Sequence, residues 1–271
     1  MMASAALADD IRFRPVSGAG GAVVGGVALD APASPQLAER LQRALHEHGV
    51  LYFDFDDTIT SAQFLAFSAH FGEIEESYGL SINDSTADAP FIDSDQVPMK
   101  DLRINVFHSD GTALECPPQA AMLTPFELPL VGGDTMFASM YAAWEALSSH
   151  TQRLLDELQV QHGTARLKFL REKPQAVHPA VIRDGMTGRK ALFVNANYCE
   201  SIIGMSPTES EELLQMLFRH INTPEFHIRR PWRLGTVAVW EERIMQHRGV
   251  ADFTGPRKLR RLTFKGGRPT A

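Results

Sequence analysis

Cysteine is scarce in this chain of 271 residues, which contains only Cys116 and Cys199. Two cysteines so far apart do not make the disulfide framework of a small secreted protein. They are also too few for a zinc site of the CxxC type. Long apolar runs are missing as well, since none reaches the roughly 18 residues that a membrane-spanning helix requires.

Basic residues are outnumbered: there are 26 Lys and Arg against 33 Asp and Glu, and the net charge is −7. This balance disfavours a nucleic-acid partner, because phosphate binding needs a concentrated basic face. The N-terminal stretch MMASAALADD also lacks the basic region of a secretory signal. We therefore expect a cytoplasmic protein without a nucleic-acid or membrane partner.

Neither a repeat nor a Pro/Gly/Ser linker divides the sequence, so we expect a single domain over residues 1–271. Ser34 as N-cap and Gly49 as stop predict a helix from Pro35 to His48. Ser206 opens a capping box that predicts a helix to His220. Helical periodicity predicts three more helices, at 62–70, 138–147 and 152–160.

Short segments rich in aliphatic and aromatic residues predict strands between these helices. They lie around Phe13 and Val23-Val24 and at 50–55, 120–123, 191–195, 236–240 and 259–264. Many short strands with a few helices favour a β-sandwich or jelly roll with helical additions. The polar stretch 73–103, broken by Gly79, Pro90 and Pro98, is long for a loop, and we expect it to be an active-site loop.

The segment Phe107-His108-Ser109-Asp110 suggests a metal site. In an extended segment, residues two apart point to the same face, so His108 and Asp110 can converge on one ion. Two histidines and one carboxylate bind iron(II) and leave coordination positions open. An HxD pair is common by chance, however, and Ser109-Asp110-Gly111 is also typical of a surface turn.

Several further motifs accompany this pair, and together they resemble the taurine/2,4-D dioxygenase family. His108-Ser109-Asp110-Gly111-Thr112 is similar to the family's HTD-x-T ligand motif. The other motifs, in family order, are Gly132-Gly133-Asp134-Thr135, Tyr141-Ala142-Ala143-Trp144, His178-Pro179, Gly188-Arg189-Lys190-Ala191-Leu192-Phe193-Val194-Asn195 and Val239-Trp240-Glu241-Glu242-Arg243-Ile244-Met245-Gln246-His247. The resemblance covers about 107–266, and more loosely begins at Val23.

This resemblance implies a β-rich α+β fold: a double-stranded β-helix, or cupin-like jelly roll, with flanking helices. It implies that His108, Asp110 and His247 bind Fe(II), with 2-oxoglutarate as cosubstrate and O2 as oxidant. It further implies hydroxylation of a small-molecule substrate, coupled to decarboxylation of 2-oxoglutarate to succinate and CO2. We also expect a homo-oligomer, either a dimer or a tetramer.

A basic tail follows His247, and its cations are candidates for anion binding. By the resemblance, Arg257 binds the far carboxylate of 2-oxoglutarate, Thr135 adds a hydroxyl, and Arg261 holds an anionic substrate. If the tail is a strand, Arg257 and Arg261 share one face, while Lys258 and Arg260 share the other. An ungapped register would put Lys258 in the place of Arg257, and a solvated basic strand is the alternative to both.

The substrate stays open at this point. Short motifs such as Met140-Tyr141 look most like the aryloxyalkanoate-cleaving branch, and a natural-product hydroxylase competes with it. A dioxygenase that cleaves sulfonates or alkylsulfates is the alternative. Glu241-Glu242 stands where the family usually has Asp-Asn, so a metal-binding protein with little or no turnover is a further alternative.

Overall fold

The computed structural model describes residues 11–32, 34–75, 91–93, 103–167 and 173–271. Within these ranges the helices are α1 (Pro35–His48), α2 (Ser61–Ser68), α3 (Met140–Glu145), α4 (Ser149–Asp156) and α5 (Pro207–Ile221). The first strands are β1 (Arg12–Ser17), β2 (Gly20–Gly25), β3 (Val50–Asp54), β4 (Phe91–Asp93), β5 (Ala120–Glu127), β6 (Thr135–Ser139), β7 (Gln159–His162) and β8 (Ala176–Pro179). The remaining strands are β9 (Val181–Arg183), β10 (Lys190–Leu192), β11 (Cys199–Ile202), β12 (His227–Arg230), β13 (Thr236–Glu241), β14 (Met245–Gly249) and β15 (Lys258–Phe264).

The largest sheet in the described part of the chain has seven strands in the order β1-β2-β3-β13-β5-β15-β4. Its neighbours pair antiparallel except β2 and β3, which are parallel. A smaller sheet has the order β12-β6-β14, and β7 pairs with both β8 and β11 in another. The final strand, β15, lies between β5 and β4, so strands from both ends of the chain build one sheet.

Successive side chains of each strand point to opposite faces of the largest sheet, so the sheet divides the core into two layers. In β13, Ala238 and Trp240 belong to one apolar cluster, which also contains Phe137 of the smaller sheet. Val237 and Val239 belong to the other cluster, beneath α1 and α2. The first layer therefore fills the space between the two sheets, where inward-facing side chains of β6 and β14 meet those of β13.

The predicted helices are largely confirmed, and their ends follow the expected caps. The Ser34 hydroxyl accepts the Leu37 N–H at 3.2 Å, and Ser206 and Glu209 form the predicted capping box. Gly49, with φ +77°, ends α1 in a conformation that favours glycine. Two predictions were wrong in part: 138–139 ends β6 rather than starting a helix, and 159–160 belongs to β7 rather than α4. In both places strand pairing outweighs the apolar spacing that resembled a helix.

The predicted active-site loop at 73–103 is described only in part. Residues 91–93 form β4, which pairs with β15 at the edge of the largest sheet. Residues 76–90 and 94–102 lie outside the described residues, so the loop's role stays a prediction. None of the helices in the described ranges has the length and apolar content needed to cross a membrane.

Candidate active site

Two distant segments of the chain meet at His108 and His247 through an isolated β-bridge. The His108 N–H donates to the His247 carbonyl at 3.1 Å, and the His247 N–H donates to the His108 carbonyl at 2.8 Å. The two imidazole centroids lie 4.4 Å apart. The strand β14 also pairs with β6, where His247 lies opposite Phe137, so the strand that carries His247 is held on both sides. The spacing of the two rings is thus set by the backbone.

The carboxylate of Asp110 faces both of these rings. Its Oδ1 lies 3.5 Å from His108 Nε2, and its Oδ2 lies 3.5 Å from His247 Nε2. One ligand atom from each residue lies within 4.8 Å of the others, the one such cluster in the described ranges. All three residues are buried. The structure therefore brings together the three residues that the sequence singled out.

The protonation of this cluster suits a divalent cation. Burial lowers the pKa of His247 well below its usual range, and the neighbouring His108 lowers it further, so the ring is neutral. Burial alone would raise the pKa of Asp110, but Arg261 and the two histidines hold it well below the usual range. His108 Nδ1 lies 2.6 Å from the Val106 carbonyl, which can only accept, so Nδ1 carries a proton and Nε2 is the nitrogen that faces the cluster. Two imidazole nitrogens and an ionised carboxylate converging in a buried place are the donor set that iron(II) binds.

Glu242 lies next to this cluster and is buried, with 1% of its surface exposed. Its Oε2 accepts the main-chain N–H of Asp110 at 3.0 Å and lies 3.7 Å from His247 Nδ1. Burial raises the pKa of Glu242 well above its usual range, and the charge of Asp110 raises it further. The sequence identified Glu242 as a departure from the family, but not that its side chain points toward the candidate metal ligands.

Its neighbour Glu241 points elsewhere and stabilises the turn between β13 and β14. Glu241 Oε2 accepts the main-chain N–H groups of Arg243 at 2.8 Å and Ile244 at 2.9 Å. Its Oε1 accepts a hydrogen bond from Arg243 Nε at 2.6 Å. The two consecutive glutamates therefore have different structural roles: Glu241 is the last residue of β13, and Glu242 is the first residue of the turn.

A second group of polar side chains surrounds Arg257, which is only 2% exposed. Arg257 Nε donates to the Gly133 carbonyl at 2.6 Å, and its Nη2 lies 3.4 Å from Thr135 Oγ1. Burial lowers the pKa of Arg257 to about 10, so the guanidinium remains charged at neutral pH. Among the described residues no carboxylate forms an ion pair with Arg257. A buried cation of this kind needs an anionic partner, and a carboxylate of 2-oxoglutarate fits that need.

Trp232 and Asp134 complete this group, and sequence inspection assigned neither of them a role. Trp232 Nε1 donates to Thr135 Oγ1 at 3.2 Å, and the Trp232 N–H donates to Asp134 Oδ1 at 3.3 Å. Arg229 Nε lies 2.7 Å from Asp134 Oδ2. Asp134 belongs to a motif that the sequence analysis quoted, whereas no local pattern marks Trp232.

The cationic side chains in β15 and just before it point in different directions. Arg261 is 8% exposed and donates from Nη2 to Asp110 Oδ2, so it lies at the candidate metal cluster. Lys258 Nζ lies 2.8 Å from Glu127 Oε2, and Arg260 Nε donates to Ser61 Oγ at 2.8 Å. Arg257 and Arg261 are thus buried, while Lys258 and Arg260 make other contacts. This placement disfavours the register that puts Lys258 in the place of Arg257.

A buried polar network holds the turn that follows Asp110. Thr112 Oγ1 lies 3.0 Å from His162 Nδ1 and accepts a hydrogen bond from Asn195 Nδ2 at 3.1 Å. His178 Nε2 lies 3.0 Å from the Thr112 carbonyl. Thr112, His178 and Asn195 lie within the motifs quoted above, whereas His162 does not, and the shared contact with Thr112 could not be read from the sequence.

Comparisons with known proteins agree with this geometry. The family model described as "Taurine catabolism dioxygenase TauD, TfdA family" matches residues 12–263. An alpha-ketoglutarate-dependent sulfate ester dioxygenase of Pseudomonas putida is 29% identical over 287 residues, covering 99% of this chain and 94% of that protein. An alpha-ketoglutarate-dependent 2,4-dichlorophenoxyacetate dioxygenase of Burkholderia sp. (strain RASC) is 28% identical over 273 residues, covering 90% and 91%.

Among solved structures, a taurine dioxygenase from Burkholderia xenovorans superposes with a TM-score of 0.82 at 31% identity. The match covers 96% of this chain and 92% of that one. The similarity confirms the predicted cupin-like jelly roll with flanking helices.

Proposed function

Because the chain belongs to the TauD, TfdA family, and is therefore an iron(II)- and 2-oxoglutarate-dependent dioxygenase, we propose that it hydroxylates a small anionic organic molecule beside a metal held by His108, Asp110 and His247. The observation that supports this proposal most directly is the convergence of three buried ligand atoms within 4.8 Å. Iron(II) and 2-oxoglutarate, when bound, supply the activation of O2, which ends in succinate, CO2 and an oxidised substrate.

The protein's own residues bind and orient the cosubstrate. We assign the far carboxylate of 2-oxoglutarate to Arg257, whose buried charge has only the Gly133 carbonyl and the Thr135 hydroxyl as hydrogen-bond partners in the described residues. Thr135 in turn accepts a hydrogen bond from Trp232. With that acceptor position filled by Trp232, the Thr135 hydroxyl proton is free to point to a carboxylate.

We assign the anionic group of the substrate to Arg261. Its guanidinium donates to Asp110, so an anion bound by Arg261 would lie next to the proposed metal ligands. A carboxylate, as in aryloxyalkanoates or a natural-product intermediate, suits the planar fork of arginine. A sulfate ester or sulfonate is the second candidate, supported by the sulfate ester dioxygenase that matches 99% of this chain.

Succinate release under iron(II) and ascorbate tests the proposal. A panel should contain aryloxyacetates, alkyl sulfates, alkyl sulfonates and neutral analogues in which an amide replaces the acid. We expect anionic compounds of one class to increase succinate release above the level without substrate, and their amides to fail. Equal stimulation by acids and amides would contradict the role given to Arg261. Absence of succinate under every condition would instead favour the alternative of a metal-binding protein without turnover.

We further propose that residues 1–271 form one oxygenase domain, since β1 and β15 belong to the same sheet. We also propose a homo-oligomer, a dimer or tetramer. Leu130 and Val131 are 100% and 75% exposed, and an exposed apolar pair of this kind favours self-association. Light scattering after size exclusion should give a multimeric mass for the wild type and a lower mass for the double variant Leu130→Ser, Val131→Ser. A monomeric wild type would contradict this part.

A further inference from the structure

The two histidines of the metal cluster differ in what holds their second ring nitrogen. When a metal binds Nε2 of a histidine, the ring proton must lie on Nδ1, and it needs an acceptor. For His108 that acceptor is the Val106 carbonyl, 2.6 Å from Nδ1. His247 Nδ1 is buried and has no hydrogen-bond partner in the structure. Its neighbours Trp240 and Phe137, with ring centroids 4.8 Å and 6.5 Å away, present aromatic rings and no strong acceptor.

A carboxylate faces this unpaired nitrogen. Glu242 Oε2 lies 3.7 Å from His247 Nδ1, just beyond hydrogen-bond range, and Glu242 Oε1 is a second buried atom without a hydrogen-bond partner. The same Oε2 accepts the main-chain N–H of Asp110 at 3.0 Å. One side chain therefore reaches both the segment that carries Asp110 and the ring of His247.

We propose that Glu242 is a positioning residue for the metal site. Its carboxylate accepts a hydrogen bond from Nδ1 of His247 and at the same time accepts the main-chain N–H of Asp110. This inference rests on the proposed roles of His108, Asp110 and His247. It gives a use to a residue that stands where the family usually has asparagine. A carboxylate behind a histidine fixes the tautomer and the ring orientation, and it strengthens the histidine as a ligand.

The variant Glu242→Gln keeps the size of this side chain and removes its charge. A glutamine carbonyl in the position of Oε2 can still accept the Asp110 N–H, but a neutral amide oxygen is a weaker acceptor for the Nδ1–H of His247 than a carboxylate. The ring is then less firmly oriented, and its Nε2 is a weaker metal ligand. We expect Mn2+ affinity to fall about 10- to 100-fold, as is typical when such a supporting group is lost.

Binding of Mn2+ is measured on the full-length protein from the electron paramagnetic resonance signal of free Mn2+. The thermal midpoint of the metal-free protein is recorded in parallel. The matched control is Glu241→Gln, which removes a buried carboxylate one residue away that stabilises the β13–β14 turn. We expect this control to lower the thermal midpoint and to leave the Mn2+ affinity within about twofold. A positioning role for Glu242 predicts the reverse for Glu242→Gln: a lower Mn2+ affinity and a thermal midpoint close to that of the wild type.

A second measurement detects the Nδ1 proton of His247 by its magnetic resonance signal. In the protein loaded with Zn2+, the His247 Nδ1 proton should give a downfield proton resonance in the wild type. That resonance should be lost or shift upfield in Glu242→Gln. Should this variant not fold, Glu242→Asn, which places the family's usual residue here, replaces it in both measurements.

These measurements distinguish a failure of the role given to Glu242 from a failure of the proposed metal site. A wild-type protein that binds no Mn2+ would overturn the metal site itself. If the wild type binds Mn2+ and the Glu242 variant binds it equally well, with the resonance unchanged, the metal site stands and the role of Glu242 is overturned. A lower thermal midpoint with unchanged Mn2+ affinity would equally overturn it, because a merely structural glutamate gives that result.

Discussion

Gly133 and Arg257 pack so closely that a Cβ atom added to Gly133 would lie 3.1 Å from Arg257 Cδ. Gly133 also has φ +73°, a conformation that L side chains rarely adopt. We therefore predict that Gly133→Ala displaces the guanidinium and raises the 2-oxoglutarate requirement about tenfold. Metal affinity should stay within about twofold, since Arg257 makes no contact with the cluster around Asp110. Isothermal titration with 2-oxoglutarate in the presence of Mn2+ checks this, and equal loss of both affinities would contradict it.

Removal of the buried cation itself should have a larger effect. Loss of a charge-assisted partner of a buried carboxylate costs about 2–5 kcal/mol, or roughly thirty- to several-thousand-fold in affinity. Arg257→Ala should therefore raise the dissociation constant of 2-oxoglutarate within that range, whatever the substrate. Lys258→Ala is the control, because Lys258 pairs with Glu127 instead. A 2-oxoglutarate defect in the lysine variant alone would show that the assignment is one residue out of register.

Asp110 is the one anionic residue of the three proposed ligands. We predict that Asp110→Ala abolishes coupled hydroxylation and weakens Mn2+ binding by more than about 100-fold, beyond the loss typical of a supporting residue. Ser109→Ala serves as the control, since in the described ranges the Ser109 hydroxyl has a single hydrogen bond, to the Met245 carbonyl at 3.4 Å. Turnover close to the wild-type rate in the Asp110 variant would refute the metal assignment.

The ion pair between Arg261 and Asp110 leads to a prediction for both activity and stability. Arg261→Ala should keep succinate release that depends on 2-oxoglutarate alone, but weaken anionic substrates selectively. It also leaves Asp110 buried without its cation, which destabilises a protein by about 3–5 kcal/mol. Added Mn2+ should restore part of the lost thermal stability, because the metal replaces the missing positive charge.

Arg260→Ala is the control for this variant, since Arg260 contacts Ser61 on the other face of β15. Differential scanning fluorimetry with and without Mn2+, together with substrate titrations, gives the comparison. Equal weakening of neutral and anionic substrates by Arg261→Ala would contradict the assignment.

Stability in acid should depend on His162, which supports the turn after Asp110 through Thr112. Burial lowers the pKa of His162 to about 3 from an ordinary value of 6.5, with a smaller contribution from His178. The unfolded chain therefore binds the proton more readily, so this contribution to stability is complete above about pH 6.5. It is lost as the pH falls toward 3, by on the order of 5 kcal/mol in total.

Urea unfolding of the wild type and of His162→Gln between pH 8 and 4.5 measures this effect. The wild type should be more stable at pH 8, and the difference between the two proteins should shrink as the pH falls. His150→Gln, at an exposed position, is the control. A constant difference across this range would contradict the prediction.

Features encoded by neighbouring residues could be predicted from the sequence. The caps at Ser34 and Ser206 depend on residues within one turn, and both helices begin where predicted. His108 and Asp110 are two residues apart, so their common direction followed from alternation. His247 required the family motifs, because nothing local brings it to the other two.

Contacts that arise from sheet pairing could not be predicted. Trp232 reaches Thr135 across 97 residues of sequence, and Asn195 reaches Thr112 across 83. Which of the two glutamates at 241 and 242 faces the proposed metal ligands depends on where β13 ends and its turn begins. Strand pairing likewise decided that 138–139 is a strand, against a local pattern that favoured a helix.

The position of β15 inside the largest sheet also dictates the order in which a newly made chain completes its catalytic pocket. Asp110 and Arg261 are 151 residues apart, which a ribosome adds in about 8 to 30 s at 5–20 residues per second. Once β5 has been made, it keeps an open hydrogen-bonding edge until its neighbour β15 is added. Nascent or prematurely terminated chains therefore expose a strand edge that invites aggregation until the final strand fills the gap.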